Sequence, residues 1–190
     1  MAGKVIIISA PSGCGKSTII SALMNSGEIN MQFSVSATNR APRGQEINGK
    51  DYHFLSDEEF RSAIATDAFL EYEEVYPGRF YGTLKSEIDR IASNGSNVVL
   101  DIDVNGGLRV KHELAEKALS IFIKPPSIGA LRSRLEKRGT DSMESIDARV
   151  DRAQYEIEQA PRYDVTVVND DLDTAVAEVK RVIVDFLNND

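Results

Sequence analysis

The chain holds one cysteine among 190 residues, so no disulfide can form within it. It has no apolar run long enough to span a membrane, and the N-terminal run, Val5 to Ile8, is too short for the apolar region of a signal peptide. Internal repeats and low-complexity tracts are missing too. Positive charge is scarce: a formal net charge of −8 argues against a binder of nucleic acid or of anionic membranes. Local basic clusters can still hold a small anionic ligand inside an acidic protein. What these absences leave is an expectation of one cytoplasmic domain, with 42% hydrophobic residues to build its core.

What is present starts at the N-terminus. Lys4-Val5-Ile6-Ile7-Ile8 lacks polar alternation, as a parallel strand covered on both faces does, and Ile19, Ile20, Leu23 and Met24 then recur at helical spacing. Between them lies Ser9-Ala10-Pro11-Ser12-Gly13-Cys14-Gly15-Lys16-Ser17-Thr18. Strand, glycine loop and helix in this order make a phosphate cradle. The glycines let successive backbone N–H groups face phosphate oxygens, the lysine adds charge and the hydroxyl reaches Mg²⁺. Gly15, Lys16 and Ser17 fit the pattern G-x-x-x-x-G-K-[ST], with Ala10 in place of its leading glycine. A turn with no ligand is the alternative reading, but a lysine on such a turn usually has an anion to meet. Cys14 reads as a small loop residue.

Farther along, Gly27 ends the first helix and Gln32 to Ser36 alternates like a strand. Thr38 to Tyr52 is polar, basic and rich in turn residues. Ser56-Asp57-Glu58-Glu59 reads as a capping box, with Leu55 stapling onto Phe60. Phe69–Tyr76 and Pro77–Thr83 resemble an aromatic-rich hairpin. Residues 34–84 therefore look like a small α+β insert without a full hydrophobic face of its own. Leu84, Ile88, Ile91 and Ala92 form a helical stripe ended by Asn94-Gly95. Buried-type strands follow at 97–103, 118–123 and 165–168, and an amphipathic helix closes the chain. Such alternation implies a parallel sheet with helices on both faces and ligands beyond the strands' carboxyl ends, where the glycine loop, Asp101 and Lys124 lie.

Between the last two strands, arginines are dense: Arg132, Arg134, Arg138, Arg149, Arg152 and Arg162. Ser127 caps a helix with Ile128, Leu131 and Leu135 inward, ended by Gly139; Ser142 or Ser145 starts another with Ile146, Val150, Ala153 and Ile157 inward. Such a run is ordinarily a solvated, salt-bridged face. Beside a phosphate loop it reads instead as a lid. Phosphoryl transfer between two anions needs an acceptor site in line with the donor, arginines to offset repulsion and a cover that excludes water. The insert and the arginine helices can supply these.

On these segments the chain resembles the guanylate kinase family, which phosphorylates GMP with ATP, nearly end to end. The resemblance is carried by the glycine loop, Ser36 through Phe54, Phe69-Leu70-Glu71-Tyr72, Phe80-Tyr81-Gly82-Thr83, Asp101-Ile102-Asp103, Arg134 through Asp141 and Val168-Asn169-Asp170. Thr38, Arg40, Arg43, Glu46, Gly49, Tyr52 and Phe54 fill the family signature; Asn39 departs from it where a hydroxyl is usual. The implied fold is α/β: a P-loop parallel sheet flanked by helices (about 1–33, 85–125 and 155–190), a GMP-binding insert (about 34–84) and a helical lid (about 126–154). The implied ATP site is Ala10 to Thr18 with Asn169. Lys16, Arg43, Arg134, Arg138 and Arg149 would act on the phosphate in transfer, and Ser17 and Asp101 on Mg²⁺. Arg40, Arg43, Tyr52 and Tyr81 would hold the GMP phosphate, Ser36, Glu71 and Thr83 would read the base, and Gly82, Asp101 and Asp103 would complete the site. Guanine offers two donors, N1–H and the 2-amino group, which suit a carboxylate; adenine has no N1–H to give. Two other readings stay open: a guanylate kinase-like module that binds phosphopeptides, as in membrane-associated scaffold proteins, and a kinase with a different phosphorylated acceptor. The intact Gly13, Gly15, Lys16 and Ser17 with the lid arginines weigh against the first, and Glu71 with Ser36 and Thr83 against the second.

Overall fold

In the computed structural model, residues 3–139 and 142–189 are described, without the side chains of Tyr76 and Arg138. Thr140 and Asp141 of the signature segment, and the expected role of the Arg138 side chain, lie outside the described residues. The elements run β1 (Val5–Ser9), α1 (Lys16–Ser26), β2 (Met31–Phe33), β3 (Ala37–Thr38), β4 (His53–Phe54), α2 (Asp57–Ala65), β5 (Phe69–Tyr76), β6 (Arg79–Leu84), α3 (Lys85–Ser93) and β7 (Asn97–Asp101). There follow α4 (Val104–Leu114), β8 (Ala118–Lys124), α5 (Ile128–Arg138), α6 (Met143–Glu158), β9 (Val165–Val168) and α7 (Leu172–Asn188).

β1 is buried at every position, which its unbroken apolar run requires, and forms the centre of a five-stranded sheet ordered β2-β7-β1-β8-β9 with all neighbours parallel. Alternate residues of β1 serve opposite faces. Ile6 and Ile8 pack with Ile19, Ile20 and Leu23 of α1 and with Val179 and Ile183 of α7. Val5 and Ile7 pack with Ile91 of α3 and Val110 of α4. Each such side chain taken from water contributes about 1.5–3 kcal/mol. The expected α/β fold is the observed one. Among the described residues no helix is long and apolar enough to cross a membrane.

The segment 32–36 is not one strand. β2 ends at Phe33, although the Ser34 N–H still donates to the Val99 carbonyl (2.9 Å). The next N–H, of Val35, donates to the Glu87 carboxylate of α3 (3.2 Å), which takes it out of the ladder and lets the chain cross to a second sheet at Ala37. That sheet, ordered β4-β3-β6-β5, is the insert. It has a small hydrophobic cluster of its own: Ala37, Phe60 and Phe69 are buried against Leu55, Ala63, Ile64, Phe80 and Leu84. The Phe60 ring stacks on Phe69 and Phe80, with centroids at 4.4 and 5.6 Å. The capping box of α2 is present: Glu59 N–H donates to Ser56 Oγ (3.1 Å) and Ser56 N–H to the Glu59 carboxylate (2.6 Å).

The strand expected over 97–103 stops at Asp101, and α4 follows where no helical pattern is visible because two adjacent glycines interrupt it. Asp103 starts this helix, its carboxylate accepting from the N–H groups of Asn105 (2.9 Å) and Gly106 (3.1 Å). The glycines are there for close approach. A Cβ on Gly106 would lie 2.9 Å from Glu71 Oε2, and one on Gly107 2.5 Å from the Tyr163 hydroxyl. Ser127 caps α5 and Ser142, not Ser145, caps α6. Leu131, Leu135, Ile146, Val150 and Ala153 close around Cys14, so the arginine helices stand on the glycine loop itself. Ile157 packs instead with Val104, Phe122 and Tyr163.

Candidate active site

The glycine loop leaves the carboxyl end of β1 and is shaped by Gly13 (φ +90°) and Gly15 (φ +84°), in a backbone region that residues with a Cβ avoid. Cys14 between them faces inward, and burial pushes its thiol up to about 12. The amide of Asn169, from beyond β9, donates to the Cys14 carbonyl (2.8 Å) and occupies the space a Cβ on Gly15 would need. α1 begins at Lys16 with no side-chain cap and no acidic residue in its first turn. Its leading N–H groups and positive dipole end are therefore available to an anion.

A cavity of about 770 Å³ opens over this loop. Residues 10–18 form its floor, Arg134, Leu135, Arg149, Arg152 and Glu156 of the lid helices one side, and Asp101-Ile102-Asp103 the other. The Lys16 ammonium is paired with the Asp101 carboxylate and reaches the Ile102 carbonyl (3.5 Å). Arg149 donates to Ser12 Oγ (3.1 Å), Arg134 to the Asp170 carbonyl (3.3 Å), and Arg152 to the Glu156 carboxylate (2.8 Å).

A second cavity, of about 510 Å³, lies between the insert and the sheet; Ser36, Arg43, Tyr52, Glu71, Val75, Arg79, Tyr81 and Gly82 line it. Glu71 and Thr83 face each other across the β5–β6 hairpin, so the threonine hydroxyl donates to Glu71 Oε1 (2.8 Å). Glu71 is only 6% exposed. Burial, opposed by the Thr83 bond and reinforced by nearby Asp103, pushes its carboxyl up to about 7. Arg40 is held tightly: two nitrogens donate to Glu46 (2.6 and 2.7 Å), a third to the Tyr81 hydroxyl (3.2 Å), and the guanidinium sits 4.8 Å from the Tyr52 ring centroid. Glu46 also accepts from the Arg43 N–H (2.7 Å), and the Arg40 bond followed by this one holds its carboxyl down to about 2.

The third wall of the second cavity is again Asp101-Ile102-Asp103. Two anion-sized chambers thus share one strand end, the first floored by a phosphate loop. A family model described as guanylate kinase matches residues 2–186. A guanylate kinase of Porphyromonas gingivalis is 55% identical over 184 residues, covering 97% of this chain and 98% of the relative. The chain belongs to the guanylate kinase family. Its likeness to another guanylate kinase, from Bacteroides thetaiotaomicron, is 53% identity over 100% of this chain and 93% of that one. The crystal structure of the guanylate kinase from Anaplasma phagocytophilum superposes with a TM-score of 0.74 at 30% identity, over 96% of this chain and 85% of that chain.

Among the described side chains, the expected site residues of this guanylate kinase fold line the two chambers, with three differences of placement. Asn169, expected beside adenine, has its amide nitrogen on the Cys14 carbonyl of the loop and does not line the first cavity. Arg40, expected on the GMP phosphate, stands behind the cavity with its guanidinium engaged by Glu46. Thr83 lies beneath Glu71, not on the cavity surface. Sequence reasoning passed over Val75, Arg79, Leu135, Arg152 and Glu156 as lining residues. Two had a readable signal: Arg79 precedes Tyr81 and Thr83 by strand steps of two, and Arg152 follows Arg149 by a helical step of three.

Proposed function

We propose that this chain, an ATP:GMP phosphotransferase, passes the terminal phosphoryl of ATP directly to a phosphate oxygen of GMP, with no covalent enzyme intermediate. One observation carries this reading: both cavities end on Asp101-Ile102-Asp103, so a donor phosphate over the loop and an acceptor phosphate in the insert would face each other across that wall. The loop amides and Lys16 bind the donor phosphates, for which Lys16 exchanges its Asp101 partner. Arg43, Arg134 and Arg149 offset the charge in flight, with Arg138 assigned the same task from its place in the signature. Glu71 with Ser36 reads the guanine, Thr83 orients Glu71, and Tyr52 and Tyr81 hold the acceptor with Arg43. The core, insert and lid keep the boundaries drawn from the sequence, and acceptor binding closes the outer two onto the sheet.

Ser17 and Asp101 offer hard oxygen donors, and among the described residues no group of three or more His, Cys, Asp or Glu forms a cage. This donor set fits Mg²⁺ arriving with ATP, since that ion keeps several waters and takes one or two carboxylates beside phosphate. When bound, it supplies charge neutralisation and orientation of the donor phosphates. Both nucleotides are cytoplasmic substrates, and we place the protein there.

A coupled ADP-release assay with GMP, AMP, UMP and dTMP tests the reading. Turnover with GMP and little with the others is expected, and Lys16→Ala should cut kcat by on the order of 10²–10³. Equal rates with AMP and GMP would remove Glu71 from base recognition, and wild-type turnover by Lys16→Ala would remove the donor site.

A further inference from the structure

The acceptor cavity contains a cation to which the family signature assigns nothing. Arg79 opens β6 and lines the cavity with Arg43, Tyr52 and Tyr81. A nucleoside monophosphate brings close to two negative charges. Arg40, one of the two signature arginines, already has two nitrogens on Glu46 and one on Tyr81. Glu71, Asp101 and Asp103 add acidic groups to the walls. Among the described residues the guanidinium groups of Arg43 and Arg79 have no hydrogen bond or ion pair, so these two remain to meet the phosphate.

The position of Arg79 is fixed from both sides by one side chain. Asn39 donates through Nδ2 to the Gly78 carbonyl (2.9 Å) and accepts at Oδ1 from the Phe80 N–H (2.8 Å), gripping the residues before and after Arg79. Nδ2 also donates to Asp57 at the start of α2 (2.9 Å). A hydroxyl, with a single proton, cannot donate to Asp57 and Gly78 together. Asn39 is the position where the chain leaves the signature, and it immediately precedes Arg40 on the loop that also bears Arg43. The same clasp therefore ties the hairpin carrying Arg79 to the loop carrying the signature arginines.

We infer that Arg79 is a further cation of the GMP phosphate site and that Asn39 is its positioning residue. The inference rests on the reading of this cavity as the GMP site. Dissociation constants of GMP and of guanosine, which lacks the phosphate, test it in the full chain for Arg79→Ala, Arg79→Lys, Asn39→Thr and Arg43→Ala. Arg79→Ala should weaken GMP roughly tenfold and leave guanosine unchanged, with Arg79→Lys recovering part of the loss. Asn39→Thr should weaken GMP less, and have no further effect once residue 79 is alanine. Unchanged GMP affinity in Arg79→Ala beside a loss in Arg43→Ala would overturn the inference alone. Equal loss of GMP and guanosine would make Arg79 a mere prop of the hairpin and overturn it as well. No effect on GMP from Arg43→Ala or Arg79→Ala would instead bring down the reading of the cavity.

Discussion

Glu71 is a carboxyl group kept where its charge is disfavoured. Its pKa of about 7 in the fold lies above the ordinary 4.5, so the folded protein holds the proton more tightly than the unfolded chain does. Stability from this group is full below about pH 4.5 and is lost as pH rises through 7. At pH 8 the ionised form costs up to ~3 kcal/mol in the ligand-free protein. In the proposed function, the guanine donors require that same ionised form. Glu71→Gln should therefore raise the melting temperature at pH 8, with the gain shrinking towards pH 4.5, while GMP affinity falls. Thermal unfolding at a series of pH values checks the first half and GMP titration the second; a variant less stable than wild type at pH 8 would contradict the burial argument. Glu71 was legible as a site candidate only through the resemblance, which the segment Phe69-Leu70-Glu71-Tyr72 helps to carry. Its burial was not, because α4, distant in sequence, packs against β5 and Gly106 on that helix leaves the room for Glu71.

Among the elements, α4 carries the most consequence for the least sequence signal. Gly106 and Gly107 erase its periodicity, yet the space they leave lets Glu71 and Tyr163 approach the helix. Tyr163 donates to the Val104 carbonyl at the start of α4 (2.9 Å) and packs edge-on to Phe122 of β8. Gly107→Ala should destabilise by about 1–3 kcal/mol, because its Cβ would overlap the Tyr163 hydroxyl and Ser9 Oγ. In denaturant unfolding, Gly107→Ala with Tyr163→Phe should cost less than the two single losses added, since removal of the hydroxyl relieves the overlap. Additive losses would show that the crowding lies elsewhere. The split of 32–36 into two sheets has a similar origin: the alternating pattern of a strand is there, but Glu87 from α3 captures the Val35 N–H.

For the whole molecule, a net charge of −8 coexists with two arginine-lined chambers, because arginines of the lid and insert face the loop and the shared strand end. In the closure proposed above, the guanidinium groups would come together only when phosphates are present to offset their repulsion. In small-angle scattering, GMP with a non-hydrolysable ATP analogue should lower the radius of gyration towards the ~16 Å of a compact chain of this length. An unchanged value with both ligands bound would rule out closure of the lid and insert. The central strands, the glycine loop and the caps at Ser56 and Ser127 could be determined from the sequence by itself, since each depends on spacing within a few neighbours, while most other candidate chamber residues came from the resemblance to the guanylate kinase family. The shared wall at Asp101–Asp103, the hold of Asn169 on the loop, the Glu46 clamp on Arg40 and the grip of Asn39 around Arg79 were decided only in the tertiary structure. Each joins side chains to partners whose direction and distance depend on packing between elements, and local periodicity carries no information about that packing.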